Sequence, residues 1–404
     1  MTPAPAARAW PIVLIGFAAL SLAFSARASI GLAMPSLEAE FGVSRSAVSG
    51  AAALGFGVMA VLSIASGWLV DRFGPARVLP AGLACLCVCL LLFSIAPNAA
   101  AVVAIYGIVG GAAFGTAAIP VVAAMVTRAV HERRGLAIGI ATSGSTAGQI
   151  FVIPGLALLI SILGWRAGYA ILGAIAGGFT LAVWFALNRW TDTRAPGGGA
   201  ASERGYGFIG SLPFQALFWS YVVCGFTTSG VIETHLIPFA ISCGYSEIRS
   251  ANAYALLSIV NFAGITFAGW LSDRVEKHVL LASIYAVRAL SFLLLMQIVA
   301  DYSLLLGFAV LFGLVDYATI PVTIALVAQY VGVKRMGMAM GVLAAGHSLG
   351  GAAGALLGGV LFDLFASYSA TWWASAGLAM GAAGLVLAIR AGGPRAPMRS
   401  AAVG

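Results

Sequence analysis

The chain has 404 residues, of which 61% are hydrophobic and only 8% are charged. Soluble domains carry roughly 25% charged residues, so this composition excludes an ordinary water-soluble protein and indicates a polytopic membrane protein. Five cysteines, three of them within one apolar run (Cys85, Cys87 and Cys89), suggest neither a disulfide framework nor a metal site.

Apolar runs of about 20 residues, the length that crosses a bilayer as a helix, recur between short charged breaks. Because the number of runs is even, both termini are expected on the same side of the membrane. In chain order the runs predict twelve spans, near residues 10–34, 48–70, 78–96, 99–126, 136–161, 167–188, 214–240, 250–271, 279–299, 303–330, 337–362 and 371–389.

Basic residues are divided unequally between the loops on the two sides. The set of loops that includes both termini carries sixteen, and the opposite set carries only Arg45, Arg166 and Arg249. Cytoplasmic loops are the richer in arginine and lysine, so both termini are predicted to be cytoplasmic. The net charge of +8 is therefore attributed to topology rather than to nucleic-acid binding.

The chain repeats itself at an offset of 202 residues. The segment 67–72 (GWLVDR) aligns with 269–274 (GWLSDR), and Gly42-x-Ser44 aligns with Gly244-x-Ser246. Two parallel copies of a six-helix unit predict a binding site between the halves at mid-depth. The longest break, rich in glycine and charge, predicts three parts: an N-terminal bundle (1–188), a cytoplasmic linker (189–212) and a C-terminal bundle (213–404).

The segment 67–77 resembles the signature between helices 2 and 3 of the major facilitator superfamily, and the copy at 269–277 lies between helices 8 and 9 as it does there. This resemblance implies an all-α membrane protein with twelve transmembrane helices in two pseudo-symmetric six-helix bundles. Helices 1, 4, 7 and 10 would line the cavity. Within the superfamily, residues 25–32, 142–154 and 347–351 are similar to bacterial members of the monocarboxylate transporter family, and Arg27 matches that family's cation in the first helix.

Charged side chains inside a span are costly, at about 2.5–3.5 kcal/mol each near the bilayer centre, so those present are expected to be paired or functional. Arg27 in span 1 is a candidate ligand for a carboxylate, whose two oxygens match the guanidinium fork. The alternatives are that it reaches the outer headgroups or pairs with Glu233. In span 7, Glu233 and His235 are candidates for proton coupling, with His235 nearer the outer interface. At i, i+2 spacing the two side chains cannot share one helix face.

Other polar residues in the spans give further candidates. Arg288 and Asp316 lie at similar depth and are expected to neutralise each other, with contact between Arg288 and substrate as the alternative. His347, Gln149 and Asn261 are candidate substrate ligands. His347 adjoins a stripe of glycines at i, i+4 spacing, which is typical of close helix packing, so a packing role for it stays open.

The loop charges Asp71, Arg72, Asp273 and Arg274 are candidate gating residues, because a rocking motion can make or break such a cluster. Together these features predict a monomeric secondary transporter of the bacterial inner membrane. It would move a small organic anion, a monocarboxylate in the leading interpretation, together with protons. The alternative is a proton-coupled antiporter that exports drug-like compounds. No enzyme activity, cofactor, metal or nucleic-acid partner is expected.

Overall fold

The computed structural model of the chain describes residues 10–130, 134–188, 206–298, 301–332 and 335–392. Within these ranges the chain forms helices and no strand. The predicted linker lies mostly outside the described residues, as do both chain ends, so the division into bundles at 189–212 stays a prediction.

The first half of the chain forms six helices. They are α1 (Trp10–Phe41), α2 (Arg45–Phe73), α3 (Pro75–Ser94), α4 (Ala99–Ala129), and the long helix Arg134–Asn188, which Gly164 divides into α5 and α6. Gly164 has a φ of 79°, a conformation that glycine adopts without steric cost. The chain therefore turns between α5 and α6 at this residue.

The second half begins with a short 3₁₀ turn (Tyr206–Phe208) and again forms six helices. Helix α7 consists of three consecutive segments, Leu212–Gly225, Phe226–Ile232 and Glu233–Ser242. The others are α8 (Glu247–Ser272), α9 (Lys277–Leu295), α10 (Tyr302–Tyr330), α11 (Met336–Phe365) and α12 (Ser369–Gly392).

Ten helices in the described ranges are individually long and apolar enough to cross a membrane. The turn at Gly164 makes two crossings of one of them, and the three segments of α7 supply one more, which gives the predicted twelve. Helix α1 extends beyond its predicted end at residue 34. It stops only where Gly42 adopts a left-handed conformation and donates its N–H to the carbonyl of Glu38.

The Gly-x-Ser motif that recurs in the two halves has the same structural role in each. Gly42 and Gly244 both have positive φ, and Ser44 and Ser246 both cap the following helix with their hydroxyls. The offset of 202 residues found in the sequence therefore joins equivalent helix boundaries.

Four helices depart from regular α geometry within their spans. Helix α1 is interrupted at Ser29, and α10 between Val315 and Thr319. Helices α4 and α7 contain π-helical segments, Ile105–Gly110 and Phe226–Ile232. These are the four helices that the superfamily resemblance places around the cavity. Irregular backbone inside a membrane is tolerated only where protein or water satisfies its polar groups, and π segments frequently mark functional sites.

The glycine stripe of α11 packs directly on α7. A Cβ atom at Gly350 would overlap the carbonyl oxygen of Val222, and one at Gly354 would overlap that of Phe226. The sequence interpretation of this stripe as a close helix contact is confirmed.

The two halves are joined at one end of the molecule, which carries the α1–α2 and α11–α12 connections and which we call the outer end, following the predicted topology. A continuous apolar cluster runs through the N-terminal half and continues, at the outer end, into Ala355, Tyr368 and Trp372 of the C-terminal half. A second cluster lies wholly within the C-terminal half and includes Phe214 and Val386, towards the opposite end. Apolar packing therefore closes the outer end.

Candidate substrate and proton site

Arg27 and Glu233 form a buried ion pair between α1 and α7. Nε of Arg27 donates to Oε2 of Glu233 at 3.1 Å, and Nη2 donates to Oε1 at 2.8 Å. The residues are only 8% and 4% exposed. Of the alternatives considered for Arg27, the structure therefore shows the pairing with Glu233, and the side chain does not extend to the outer headgroups.

Tyr317 completes this pair from the interruption in α10. Its hydroxyl donates to Oε1 of Glu233 at 2.7 Å and accepts from Nη2 of Arg27 at 3.3 Å. The rings of Phe24 and Phe56 lie 4.4 and 5.6 Å from the guanidinium carbon, where aromatic faces attract a cation. The planar guanidinium of Arg27 thus lies beside two apolar rings, and Glu233 occupies the edge that could bind a carboxylate.

Arg288 and Asp316 are brought together as expected, as an ion pair without a direct hydrogen bond between the two side chains. The shortest distance from the guanidinium to the carboxylate is 3.9 Å. Arg288 instead donates to the hydroxyls of Thr227 (2.8 Å) and Thr228 (2.9 Å) and to the backbone carbonyls of Val315 (2.9 Å) and Asp316. The arginine therefore satisfies carbonyls that the interruption in α10 leaves without helical partners.

Asn261 connects the two charged pairs. Its amide nitrogen donates to Oδ2 of Asp316, and its amide oxygen accepts from the backbone N–H of Tyr317, both at 3.1 Å. Thr228 donates to Oδ1 of Asp316 at 2.6 Å. Both amide groups of this predicted substrate ligand are thus already engaged, and Asn261 orients the residue that contacts Arg27 and Glu233.

Gln149 and His347 keep unused hydrogen-bonding groups. The Gln149 amide oxygen accepts from the hydroxyl of Ser258 at 3.2 Å, across the contact between α5 and α8. Its amide nitrogen is buried and has no partner within the described residues. His347 lies beside the ring of Tyr221, with centroids 5.0 Å apart, is partly exposed, and makes no hydrogen bond in the described part of the chain. Both stay candidate ligands.

His235 does not lie at the outer interface, and that expectation was wrong. Its side chain is 0% exposed between α7, α11 and α12. Nε2 lies 2.8 Å from the carbonyl oxygen of Ala355, so it carries the proton and donates, and Nδ1 lies 3.1 Å from the hydroxyl of Tyr368. As expected from the i, i+2 spacing, Glu233 faces a different set of partners.

A polar cluster that we call the outer lock (Glu38, Arg45, Asp363 and Tyr368) holds the two halves together at the outer end. Arg45 forms a two-bond ion pair with Glu38 (2.7 and 3.0 Å) and donates across the halves to the hydroxyl of Tyr368 at 3.2 Å. Asp363 accepts from the backbone N–H groups of Arg45 (3.0 Å) and Ser46 (2.9 Å). An acid of α11 thus caps the first turn of α2 in the other half.

A family model described as Major Facilitator Superfamily matches residues 16–301 and 252–403. The chain belongs to the major facilitator superfamily. It is 27% identical to an uncharacterized MFS-type transporter, YcxA of Bacillus subtilis, over 89% of this chain and 90% of that protein. It is 25% identical to monocarboxylate transporter 13 of Rattus norvegicus, over 94% of this chain and 88% of that protein. The fold is that of a bacterial homolog of the human lysosomal transporter Spinster, with a TM-score of 0.73, 17% identity and 96% of each chain covered.

As a member of this superfamily, the chain is a multi-pass transporter of a small molecule.

The loop signature contains the candidate gating residues. In the described residues, Arg72 lies 5.3 Å from the ring of Trp68, and Arg274 lies 4.0 Å from the ring of Trp270. Asp273 is exposed, and the side chain of Asp71 lies outside what the structure describes. Each arginine thus lies beside the ring of the tryptophan four residues before it in the chain.

Sequence reasoning missed Tyr317 and the outer lock. Tyr317 directly follows Asp316, ahead of an Ile-Pro pair in the span, which was a usable signal of an interrupted helix. The residues of the outer lock lie near loops in the sequence. Arg45 was counted there only among the basic residues that predict the orientation in the membrane. Its cross-half partner Tyr368 is 323 residues away in the chain.

Proposed function

We propose that this transporter carries a small monocarboxylate together with a proton across the bacterial inner membrane, by alternating access between two six-helix bundles. The observation that supports this function is the Arg27–Glu233 pair. It joins the two halves at the interrupted helices and places a carboxylate in the two-bond geometry that a substrate carboxylate would adopt.

Glu233 competes with the substrate carboxylate for Arg27. While it is ionised, it occupies the edge of Arg27 and blocks an incoming anion. Protonation removes its charge, so Arg27 is left as an unmatched cation in a buried site. A substrate carboxylate then takes both hydrogen bonds, with Tyr317 able to donate a third. The proton binds first and the anion second, and the loaded site has the same net charge as the empty one.

We also propose how the molecule is arranged in the membrane. Both termini and the linker face the cytoplasm, the bundles comprise residues 1–188 and 213–404, and the protein works as a monomer. Arg288 and Asp316 hold the interruption in α10 in place, and the loop residues Asp71, Arg72, Asp273 and Arg274 act in gating at the cytoplasmic end. Gln149 and His347 offer polar contacts to the substrate.

The test is transport by the purified protein in liposomes, with labelled carboxylates and with or without an inward proton gradient. The wild type should accumulate the carboxylate only with the gradient. Arg27→Lys should weaken substrate affinity, because it keeps the charge but loses the fork. Arg249, which is exposed and lies outside the central site, the loop signature and the outer lock, supplies the matched control, and Arg249→Lys should transport normally.

Glu233→Gln separates binding from coupling. It should retain exchange of labelled for unlabelled carboxylate and lose accumulation driven by the gradient. Continued proton-driven accumulation by this variant would show that Glu233 does not carry the proton, and would make His347 the next residue to replace. Proton-coupled efflux of lipophilic cations, with no carboxylate transport by any variant, would instead identify a drug exporter.

A further inference from the structure

A chain of hydrogen bonds leads from the outer lock to His235. Nη1 of Arg45 donates to the hydroxyl of Tyr368 at 3.2 Å, and this hydroxyl lies 3.1 Å from Nδ1 of His235. Nε2 of His235 lies 2.8 Å from the carbonyl oxygen of Ala355, which can only accept, so the ring carries its hydrogen on Nε2. Nδ1 of the neutral ring is then an acceptor, and Tyr368 donates to it.

All the bonds in this chain run in one direction, from Arg45 through Tyr368 and His235 to the carbonyl of Ala355. The Tyr368 hydroxyl accepts from the arginine while its own hydrogen is used by the histidine. The chain also crosses the contact between the halves, because Arg45 belongs to α2 and the other three residues belong to the C-terminal half. This direction of bonding requires that His235 holds a single proton.

A second proton on His235 conflicts with the closed outer lock. It would make Nδ1 a donor, so the Tyr368 hydroxyl would accept from two cations. Its own hydrogen would then have no acceptor in the described part of the chain, which is costly for a buried hydroxyl. The ring also has no room to turn away, because a Cβ atom at Gly358 would lie only 2.6 Å from Nε2.

Charged groups face His235 from the neighbouring helices. Arg45 of α2 repels a second proton, and Asp363 of α11 attracts it. Asp363 is already bonded to the first backbone N–H groups of α2, and Glu38 of α1 is bonded to Arg45. The acid of α7, Glu233, faces the arginine of α1 instead. Within the described residues, no carboxylate is therefore bonded to His235.

We propose that His235 is a second proton-binding residue of this transporter, separate from Glu233, and that its protonation opens the outer lock. When the halves part, Arg45 leaves with α2 and water takes its place at the Tyr368 hydroxyl. Tyr368 can then accept from the charged histidine and donate its own hydrogen to water. Acid at the outer side therefore favours the outward-open state, and this role of His235 does not depend on which solute is carried.

The expected effect follows from proton linkage. The closed state keeps His235 neutral, whereas an open state in which the imidazole titrates near its ordinary value, about pH 6.5, gains a proton as the pH falls. The ratio of open to closed molecules should then rise about tenfold when the pH is lowered from about 7.5 to about 5.5. Acid favours the open state because only that state binds the additional proton.

The experiment follows the outer end with the reporter Ser49→Cys, in the full-length protein without native cysteines. Ser49 is 0% exposed and contacts Gly359 of α11, so a soluble maleimide should reach this position when the outer end opens. The protein is held in nanodiscs without added solute. Each labelling rate is divided by that of exposed Ala39→Cys at the same pH, which corrects for ionisation of the thiol. With His235 present, the corrected rate should rise about tenfold over this pH range, and an unchanged rate overturns the proposal.

His235→Gln removes the titrating group. Its amide offers one donor and one acceptor, so it can bond to Ala355 and Tyr368 but cannot take up a proton. Its corrected rate should match the wild type near neutral pH and change by less than about twofold on acidification. His278→Gln, at the start of α9 near the opposite end of the molecule, is the matched control and should keep the tenfold response. A response that survives in His235→Gln assigns the opening to another group and overturns the proposal.

Tyr368→Phe tests the chain of bonds while His235 stays in place. The variant keeps the ring that stacks on Trp372 and loses the hydroxyl that Arg45 contacts across the halves. The corrected rate near neutral pH should rise about fivefold, as expected for the loss of one hydrogen bond. A wild-type rate in this variant would show that the chain does not hold the outer end closed, which also overturns the proposal.

Discussion

Replacing Glu233 with glutamine removes the carboxylate that occupies Arg27 while keeping a side chain of nearly the same size. Two charge-assisted hydrogen bonds, 3.1 and 2.8 Å long, are weakened at a site that is at most 8% exposed. Removing one charge of a buried pair costs about 3–5 kcal/mol, because the other charge remains buried and unmatched. The variant should therefore unfold at a lower temperature than the wild type when no anion is present.

An added carboxylate should recover much of this loss. If a saturating concentration stabilises the variant by about 2 kcal/mol more than it stabilises the wild type, the variant binds that anion roughly thirtyfold more tightly at neutral pH. In the wild type, acidification should strengthen anion binding, because protonation of Glu233 releases Arg27. In the variant, this step is absent and binding should change much less with pH.

Thermal unfolding of the detergent-solubilised protein, titrated with acetate and with benzoate at several pH values, measures both effects. Glu247→Gln is the matched control, because it makes the same substitution at a partly exposed acid in the first turn of α8. Two results would refute competition between Glu233 and the anion for Arg27. Glu233→Gln would be as stable as Glu247→Gln without anion, or added carboxylate would stabilise it no more than it stabilises the wild type.

Three further predictions concern the helix interruption, the outer lock and the topology. Arg288→Met should lower the unfolding temperature more than Asp316→Asn, because only the arginine satisfies carbonyls at the interruption in α10; equal losses would contradict this. Asp363→Asn should weaken the closed outer end by about 1 kcal/mol. A cysteine introduced by Ser49→Cys, in a background without native cysteines, should then be labelled faster, and unchanged labelling would argue against the outer lock. A cysteine placed within 189–205 should be protected from impermeant reagents in intact cells, and labelling there would reverse the predicted orientation.

The architecture was largely predictable because membrane folding imposes strong and local rules on the sequence. Apolar runs gave twelve helices since each crossing must bury about 20 residues, and the repeated motifs marked equivalent helix ends. The glycine stripe of α11 was also readable, because close packing in lipid requires small side chains at one helical period. Each of these signals lies within a short stretch of chain or in its regular repetition.

The candidate site was only partly predictable because its contacts join distant segments. Arg27 and Glu233 stood out as isolated charges in apolar spans, and their pairing was one of three alternatives for Arg27. Nothing local in the sequence indicated that Asn261 would bond to α10 through both its amide nitrogen and its amide oxygen, or that Tyr317 would join the two charges. The sequence pattern also could not show the π segments, since hydrophobicity defines a span whether its hydrogen bonds follow the α or the π pattern.

The polar residues of the spans serve two different needs, and the structure distinguishes them. Where a helix is interrupted, buried side chains satisfy the freed backbone: Tyr106 donates to the carbonyl of Arg27, and Tyr169 to that of Ser29 at 2.7 Å. Arg288 does the same for α10. The two tyrosine hydroxyls have no second donor for a ligand, whereas Nε of Arg288 is buried without a hydrogen-bond partner in the described part of the chain. Arg27 is different, because its partner Glu233 is itself a group that a proton can neutralise, and this exchangeable contact connects the two halves.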